Sequence, residues 1–165
     1  MDRCGGCGFE YELVKATNAG ALIVSQAGLL CGILRDPAVD VRARPAPDVW
    51  STLEYGCHVR DVLLVQRERV LEARRVDCPA PTPMGRDERA EHDGYAEQDP
   101  LRVAAQLDEA AFMFANVLNR LGPDDWDRTI VYNYPTPTER SLRWVAVHTE
   151  HEVRHHLLDI RRQHS

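Results

Sequence analysis

The chain has 165 residues, of which 44% are hydrophobic, so it can bury one sizeable core and is not expected to be disordered throughout. The formal net charge of −6 argues against a nucleic-acid or anionic-membrane partner, since either would favour a basic surface. The apolar runs fall short of the roughly 18 residues that suggest a membrane span, no signal-peptide pattern is visible, and five cysteines fit a reducing compartment. We therefore expect a cytoplasmic protein.

The first half of the chain predicts two helices and a long connection. Apolar residues at helical spacing indicate a first helix over residues 11 to 34. A second helix follows over residues 48 to 75, with Asp48 as its candidate N-cap. Residues 76 to 99 are polar and form a loop, and a loop of this length is usually functional or mobile. Both a lid and a simple connector remain open interpretations.

The second half predicts two further helices. Proline in the first turn and an apolar face indicate a third helix over residues 100 to 121. Residues 124 to 138 are irregular, with one short piece that could be extended. The last helix is predicted over residues 139 to 163, with Thr138 as the first candidate N-cap and Ser141 as the second.

Four long helices without a convincing strand repeat predict an all-α fold, a four-helix bundle. The long loop would lie between the second and third helices. Residues 11 to 165 would form the bundle domain, and residues 1 to 10 would form a short head that contains a Cys-x₂-Cys pair.

The last helix carries "HTEHEVRHHLLDI", a run with four histidines and two glutamates at residues 148 to 160. On a helical wheel centred on Val153, His156 lies about 60° from the apolar stripe and Glu152 about 100° from it. These two side chains therefore border the core. Three histidines lie about 140° or more from the stripe and are expected to face water or a loop: His148, His151 and His155.

Glu152 and His156 are four residues apart, so both side chains can reach one ion from one helix. In the second helix, His58 shares a stripe with Glu54, Val62 and Val65, and it can lie opposite His156 in a bundle. The pattern is typical of a metal site with open water positions. The alternative is that these are hydrogen-bonded structural residues beside the core.

The segments "EYGCHVRDVL" and "HEVRHHLLDI" together resemble the DinB-like superfamily, which includes bacillithiol- and mycothiol-dependent transferases and mycothiol-dependent maleylpyruvate isomerases. The resemblance covers roughly residues 11 to 163. It implies a metal-binding four-helix bundle with ligands at His58, Glu152 and His156, the same residues that the helical wheel selects. Zinc is the first metal expected and nickel the second.

The resemblance also implies a small-molecule substrate and a low-molecular-weight thiol such as mycothiol, in a transferase or isomerase reaction. No motif for a thiol pocket is visible in the sequence, so the reaction itself is not assigned. A metal- or ligand-binding stress-response protein without turnover is an alternative. By analogy alone, bundles of this type are often homodimers.

Carboxylates near the predicted ligands could fix the orientation of the imidazoles. Asp61 and Asp159 each lie three residues after a candidate ligand, and Glu54 lies one turn before His58. The alternative for Asp61 and Asp159 is an ion pair with a nearby arginine.

The head contains "CGGCG", in which Cys4 and Cys7 have the spacing of half a zinc site. Three interpretations compete. The pair could bind metal together with Cys78, a histidine or another chain. It could be a dithiol that oxidises reversibly and acts as a redox or metal sensor. It could also be an inert end of the chain.

Overall fold

The computed structural model describes residues 3–164 and shows a bundle of four long helices. Helix α4 (Pro100–Asn119) packs against both α1 (Ala19–Arg35) and α2 (Thr52–Ala73). Helix α5 (Leu142–Gln163) does the same, which places α4 and α5 on opposite sides of the bundle. The predicted all-α four-helix bundle is confirmed. A short helix, α3, lies in the long connection, and a small antiparallel hairpin precedes α5. Helix α3 spans Arg86–His92.

The first helix starts later than the apolar pattern predicts. A 3₁₀ turn occupies Leu13–Asn18, and α1 continues from it. Within the described residues, Leu13–Arg35 is long and apolar enough by composition to cross a membrane. However, Ile23 and Leu30 are fully buried in the bundle core, and the core helix of a soluble protein passes the same test of composition.

The start of α2 corrects the predicted N-cap. Ser51, and not Asp48, caps the helix: its side chain accepts a hydrogen bond from the backbone N–H of Glu54. The Glu54 carboxylate in turn accepts a hydrogen bond from the backbone N–H of Ser51, which completes a capping box. His58 follows one turn after Glu54 and is buried inside the bundle.

The connection after α2 is attached to the bundle by polar contacts. The Tyr95 side chain is fully buried, and its hydroxyl donates a 2.7 Å hydrogen bond to Asp61 on α2. Arg60 donates to Gln98 and Asp93, at 2.7 and 3.2 Å. The end of this connection, residues 93 to 98, is therefore packed on α2. The connection also includes α3, a helix that the sequence pattern did not indicate.

The segment before α5 forms a hairpin in which β1, Thr129–Tyr132, pairs with β2, Thr138–Ser141. The last helix therefore begins at Leu142 and not at residue 139. Ser141 is the N-cap, the second of the two predicted candidates, and its Oγ accepts from the N–H of Trp144 at 3.3 Å. The hairpin places Tyr132 against α5, beside the histidine run.

Candidate metal centre

The three predicted ligands converge between α2 and α5. One donor atom from each of His58, Glu152 and His156 lies within 4.8 Å of the others. His156 Nε2 lies 3.7 Å from Glu152 Oε2, and the His58 and His156 ring centroids are 5.0 Å apart. His58 is only 4% exposed, whereas the side chains of Glu152 and His156 are 26% and 17% exposed. The cluster is thus anchored inside the bundle and reachable from one side.

The protonation states of His58 and Glu152 favour cation binding. Burial, with a smaller effect from the charge of His156, lowers the pKa of His58 to about 4, so its imidazole is neutral at pH 7. Burial alone would raise the pKa of Glu152, but hydrogen bonds from His151 and His156 hold it well below its usual range. The cluster therefore offers a neutral imidazole and a carboxylate anion, the forms that bind a metal.

Two of the histidines that were expected to face water or a loop face other segments of the chain and are buried. His148 and His151 are each 7% exposed, whereas His155 is partly exposed. The reason is a second layer outside the bundle, formed by the head and the hairpin. The centre of the Phe9 ring lies 5.3 Å from that of His151, and the centre of the Tyr132 ring lies 5.2 Å from that of His148. The helical wheel describes only the bundle core and could not reveal this cover.

Tyr11 connects the buried histidines. Its hydroxyl lies 2.8 Å from Nδ1 of His148 and 2.9 Å from Nδ1 of His151. Because a hydroxyl has one proton, it donates to one of these nitrogens and accepts from the other. Glu152 Oε1 lies 3.5 Å from His151 Nδ1 and 3.9 Å from His148 Nε2. The carboxylate thus faces His156 with one oxygen and this buried network with the other.

Asp159 lies beside two histidines, although Nδ1 of His156 has no hydrogen-bond partner within the described residues. Its Oδ2 lies 3.5 Å from Nδ1 of His156 and 3.5 Å from Nε2 of His155. The pairing raises the pKa of His156 even though burial alone would lower it. Asp159 also forms the predicted type of arginine pair, with Arg162 at 3.5 Å.

The other two candidate carboxylates are used elsewhere. Asp61 accepts hydrogen bonds from Arg60 Nε at 2.8 Å and from the Tyr95 hydroxyl at 2.7 Å, which corresponds to the arginine-pair alternative. Glu54 pairs with Arg44 and closes the capping box of α2. Within the described residues, neither carboxylate forms a hydrogen bond to His58, so the expectation that they orient this imidazole is wrong.

The exposed side of the cluster has an aromatic rim. The centre of the Trp50 ring lies 5.2 Å from the centre of the His58 ring, and the centre of the Tyr55 ring lies 5.2 Å from that of His156. Arg86, from α3 in the long connection, places its guanidinium 5.3 Å from the centre of the Trp50 ring. The connection thus contributes a cationic group beside the cluster.

Two surface clefts lie away from the three predicted ligands. One, of about 320 Å³, is lined in part by Leu64, Arg69 and Arg89. The other, of about 330 Å³, is lined in part by Phe9 and Glu150. Neither cleft is lined by His58, Glu152 or His156.

The Cys-containing head folds onto α5. Cys4 Sγ lies 3.6 Å from His155 Nδ1, and single donor atoms of Cys4, Cys7, His151 and His155 lie within 4.8 Å of one another. Burial would raise the pKa of Cys4, but hydrogen bonds from the backbone N–H groups of Cys7 and Gly6 lower it to about 6. The head is therefore packed on α5, with its cysteines beside two histidines.

Sequence reasoning missed Tyr11 and Trp50. Tyr11 was assigned to the predicted first helix, yet it lies before that helix in an extended stretch that crosses α5. Trp50 precedes the N-cap of α2 and carries no spacing signal. The signal that could have found Tyr11 is the alternation of apolar Phe9, charged Glu10 and Tyr11 after the Cys pair, which indicates an extended segment with one buried face.

Comparison with known proteins places these features in a family. A family model described as the DinB superfamily matches residues 37–160. Among solved structures, the chain is similar to YfiT from Bacillus subtilis, described as a probable metal-dependent hydrolase with an unusual four-helix bundle topology. The two share 15% sequence identity with a TM-score of 0.73, and the match covers 92% of this chain and 87% of YfiT. At this identity the likeness shows the fold. A search of curated proteins finds no significant match.

Proposed function

The chain belongs to the DinB superfamily, and on that premise we propose that it is a metal-dependent enzyme whose ion is held by His58, Glu152 and His156. The observation that carries the proposal is the meeting of these three donors, from two helices, at one partly exposed point. Two imidazoles and one carboxylate form a ligand set of catalytic zinc sites, in which a further position stays open.

The donors fit a cation for a second reason. Nδ1 of His58 is buried and has no hydrogen-bond partner within residues 3–164. A buried polar atom without a partner costs about 1–3 kcal/mol. A cation that binds Nδ1 of His58 would give this nitrogen a partner and would offset that cost.

When bound, the ion would lower the pKa of a thiol or a water in its open position and would polarise an electrophile. The chain contributes charge. Asp159 Oδ2 lies 3.5 Å from Nδ1 of His156, which has no hydrogen-bond partner within the described residues, and places a negative charge beside this imidazole. Arg86 brings a positive charge to the rim, which favours a substrate or thiol with an anionic group.

The nucleophile that we propose is a low-molecular-weight thiol of the mycothiol type, transferred to an electrophile or used in an isomerisation. The support is the resemblance of the two motif segments to thiol-dependent members of the family. Hydrolysis by an activated water is the second candidate, and the description of YfiT favours it.

The experiment combines metal content with turnover. Full-length protein and a His58→Gln variant are loaded with zinc or nickel and analysed for bound metal. They are then assayed with bacterial thiols against a panel of electrophiles, and with ester and amide substrates without thiol. We expect His58→Gln to lose about one equivalent of metal and all metal-dependent turnover.

A His92→Gln variant is the matched control, since His92 is exposed on α3 and is not among the clustered donors. Thiol-independent hydrolysis would replace the thiol proposal with the hydrolase one. Metal binding without turnover across both panels would favour the non-catalytic binding protein. Full metal retention by a folded His58→Gln variant would refute the assignment of the ligands.

A further inference from the structure

We propose that Cys4, Cys7, His151 and His155 form a second metal site, a structural zinc site that holds the N-terminal head on α5. The site does not depend on the proposed enzymatic function. Its four residues are distinct from the three of the candidate catalytic centre, so both sites can be filled in one molecule.

The residue types and their spacing match a structural zinc site. Cys4 and Cys7 have the C-x₂-C spacing, and His151 and His155 have the H-x₃-H spacing, which together make the Cys₂His₂ set. In the sequence the two pairs lie at opposite ends of the chain, and the fold brings them together on the outer face of α5. His151 and His155 thus supply the two further ligands that the Cys pair needs to bind a metal.

The distances fit a tetrahedral ion. With Zn–S near 2.3 Å and Zn–N near 2.0 Å, a tetrahedral S–Zn–N angle separates sulfur and nitrogen by roughly 3.5 Å. Cys4 Sγ and His155 Nδ1 are 3.6 Å apart. The loop also packs tightly on this ring, because a Cβ added to Gly6 would lie 3.0 Å from His155 Cε1. Only a residue without a side chain allows this approach unchanged.

The nitrogens of both histidines are arranged for ligation. Nε2 of His151 is buried and lacks a hydrogen-bond partner within the described part of the chain, whereas its Nδ1 lies 2.9 Å from the Tyr11 hydroxyl. His155 directs Nδ1 to Cys4 and places Nε2 3.5 Å from Asp159. In each ring one nitrogen faces the cysteines and the other has an oxygen neighbour, as in metal-bound histidines.

The backbone of the head has the form of a tight loop around the thiols. The N–H of Gly8 donates to the carbonyl of Cys4, and the N–H of Cys4 donates to the carbonyl of Phe9, both at 2.8 Å. Gly8, directly after the second cysteine, has a φ of +70°. Residues with a Cβ rarely adopt this left-handed conformation.

Charge and the other cysteines also favour this arrangement. Two thiolates and two neutral imidazoles balance the charge of Zn²⁺, and both cysteines bind in the thiolate form. Cys4 and Cys7 are free thiols in the structure and not a disulfide. Cys78, one of the ligands considered from the sequence, is exposed and is not part of the cluster.

The site would give the head a defined role. Metal binding would fix the loop before Tyr11, and Tyr11 is the residue that contacts both His148 and His151 beside Glu152. Without the ion, the loop that carries the two cysteines is held by contacts such as the 3.1 Å hydrogen bond from Arg162 to the Gly6 carbonyl. Zinc would therefore order the outer wall of the candidate catalytic centre.

The experiment counts zinc and identifies its ligands in the full-length protein. Elemental analysis should find about two equivalents in the wild type and about one in a Cys4→Ser, Cys7→Ser double variant. Cobalt substitution should give a thiolate-to-cobalt charge-transfer band that the double variant lacks. His155→Gln should weaken zinc binding at this site, and Cys78→Ser should change neither measurement.

The two metal proposals fail separately. His58→Gln should lose zinc but keep the thiolate-to-cobalt band, so loss of the band in that variant would contradict two independent sites. Zinc should also protect Cys4 and Cys7 from alkylation while exposed Cys78 reacts in the same sample. Full zinc content in the folded double variant, or equal alkylation of all three thiols with zinc present, would overturn the proposal.

Discussion

Replacing Tyr11 with Phe tests whether the buried histidine network stabilises the protein. The substitution removes one hydroxyl and with it the contacts to His148 at 2.8 Å and His151 at 2.9 Å. A hydrogen bond contributes about 0.5–1.5 kcal/mol, and a buried nitrogen left without a partner costs about 1–3 kcal/mol. Tyr11 is partly exposed, so water can compensate in part. We therefore expect the free energy of unfolding to fall by about 2–3 kcal/mol.

The assay is urea unfolding of the full-length protein with a chelator present, so that metal binding adds nothing to the measured stability. For a chain of this size, the expected loss corresponds to a decrease in Tm of roughly 4–12 °C. Tyr134→Phe is the control, because Tyr134 is 73% exposed, and it should change stability by less than about 0.5 kcal/mol. A Tyr11→Phe variant within about 0.5 kcal/mol of wild type would refute the reasoning.

Two further predictions concern packing and pH. Gly56→Ala places a Cβ 2.9 Å from Leu34 Cδ1, whereas a Cβ added at Gly28 meets no atom within 4 Å. Urea unfolding should therefore find Gly56→Ala about 1–3 kcal/mol less stable than Gly28→Ala. Equal stabilities of the two variants would contradict the packing described. Burial lowers the pKa of His148 from 6.5 to about 4, so the unfolded chain binds a proton in this range that the folded chain does not. Stability should therefore fall as the pH drops from about 6.5 toward 4. Between pH 7.5 and 5 the loss from His148 is about 2 kcal/mol, and metal-free His148→Phe should lack it; an unchanged pH slope would count against a buried neutral imidazole.

The phase of a helix was enough to predict part of the candidate site. Once α5 is recognised, the period of 3.6 residues separates Glu152 and His156 from the apolar stripe, and the same logic on α2 selects His58. The structure brings these three together. The error of a few residues at the start of α5 did not matter, because it leaves the relative directions of the side chains unchanged.

The outer face of α5 could not be predicted in the same way. A helical wheel ranks side chains by distance from one core, and α5 is covered on a second side by the head and the hairpin. Phe9 lies at the other end of the chain and Tyr132 in the hairpin before α5, and only tertiary packing reveals that they bury His151 and His148. For the same reason the Cys pair had no identifiable partners in the sequence.

The central claim is that His58, Glu152 and His156 hold one cation between α2 and α5. Anomalous diffraction at the zinc edge, from crystals of the full-length protein grown with zinc, tests it most directly. The account predicts a peak within about 2.0–2.2 Å of one donor atom from each of these residues. Anomalous density confined to the Cys4 and Cys7 cluster, with the three donors turned toward solvent, would contradict it.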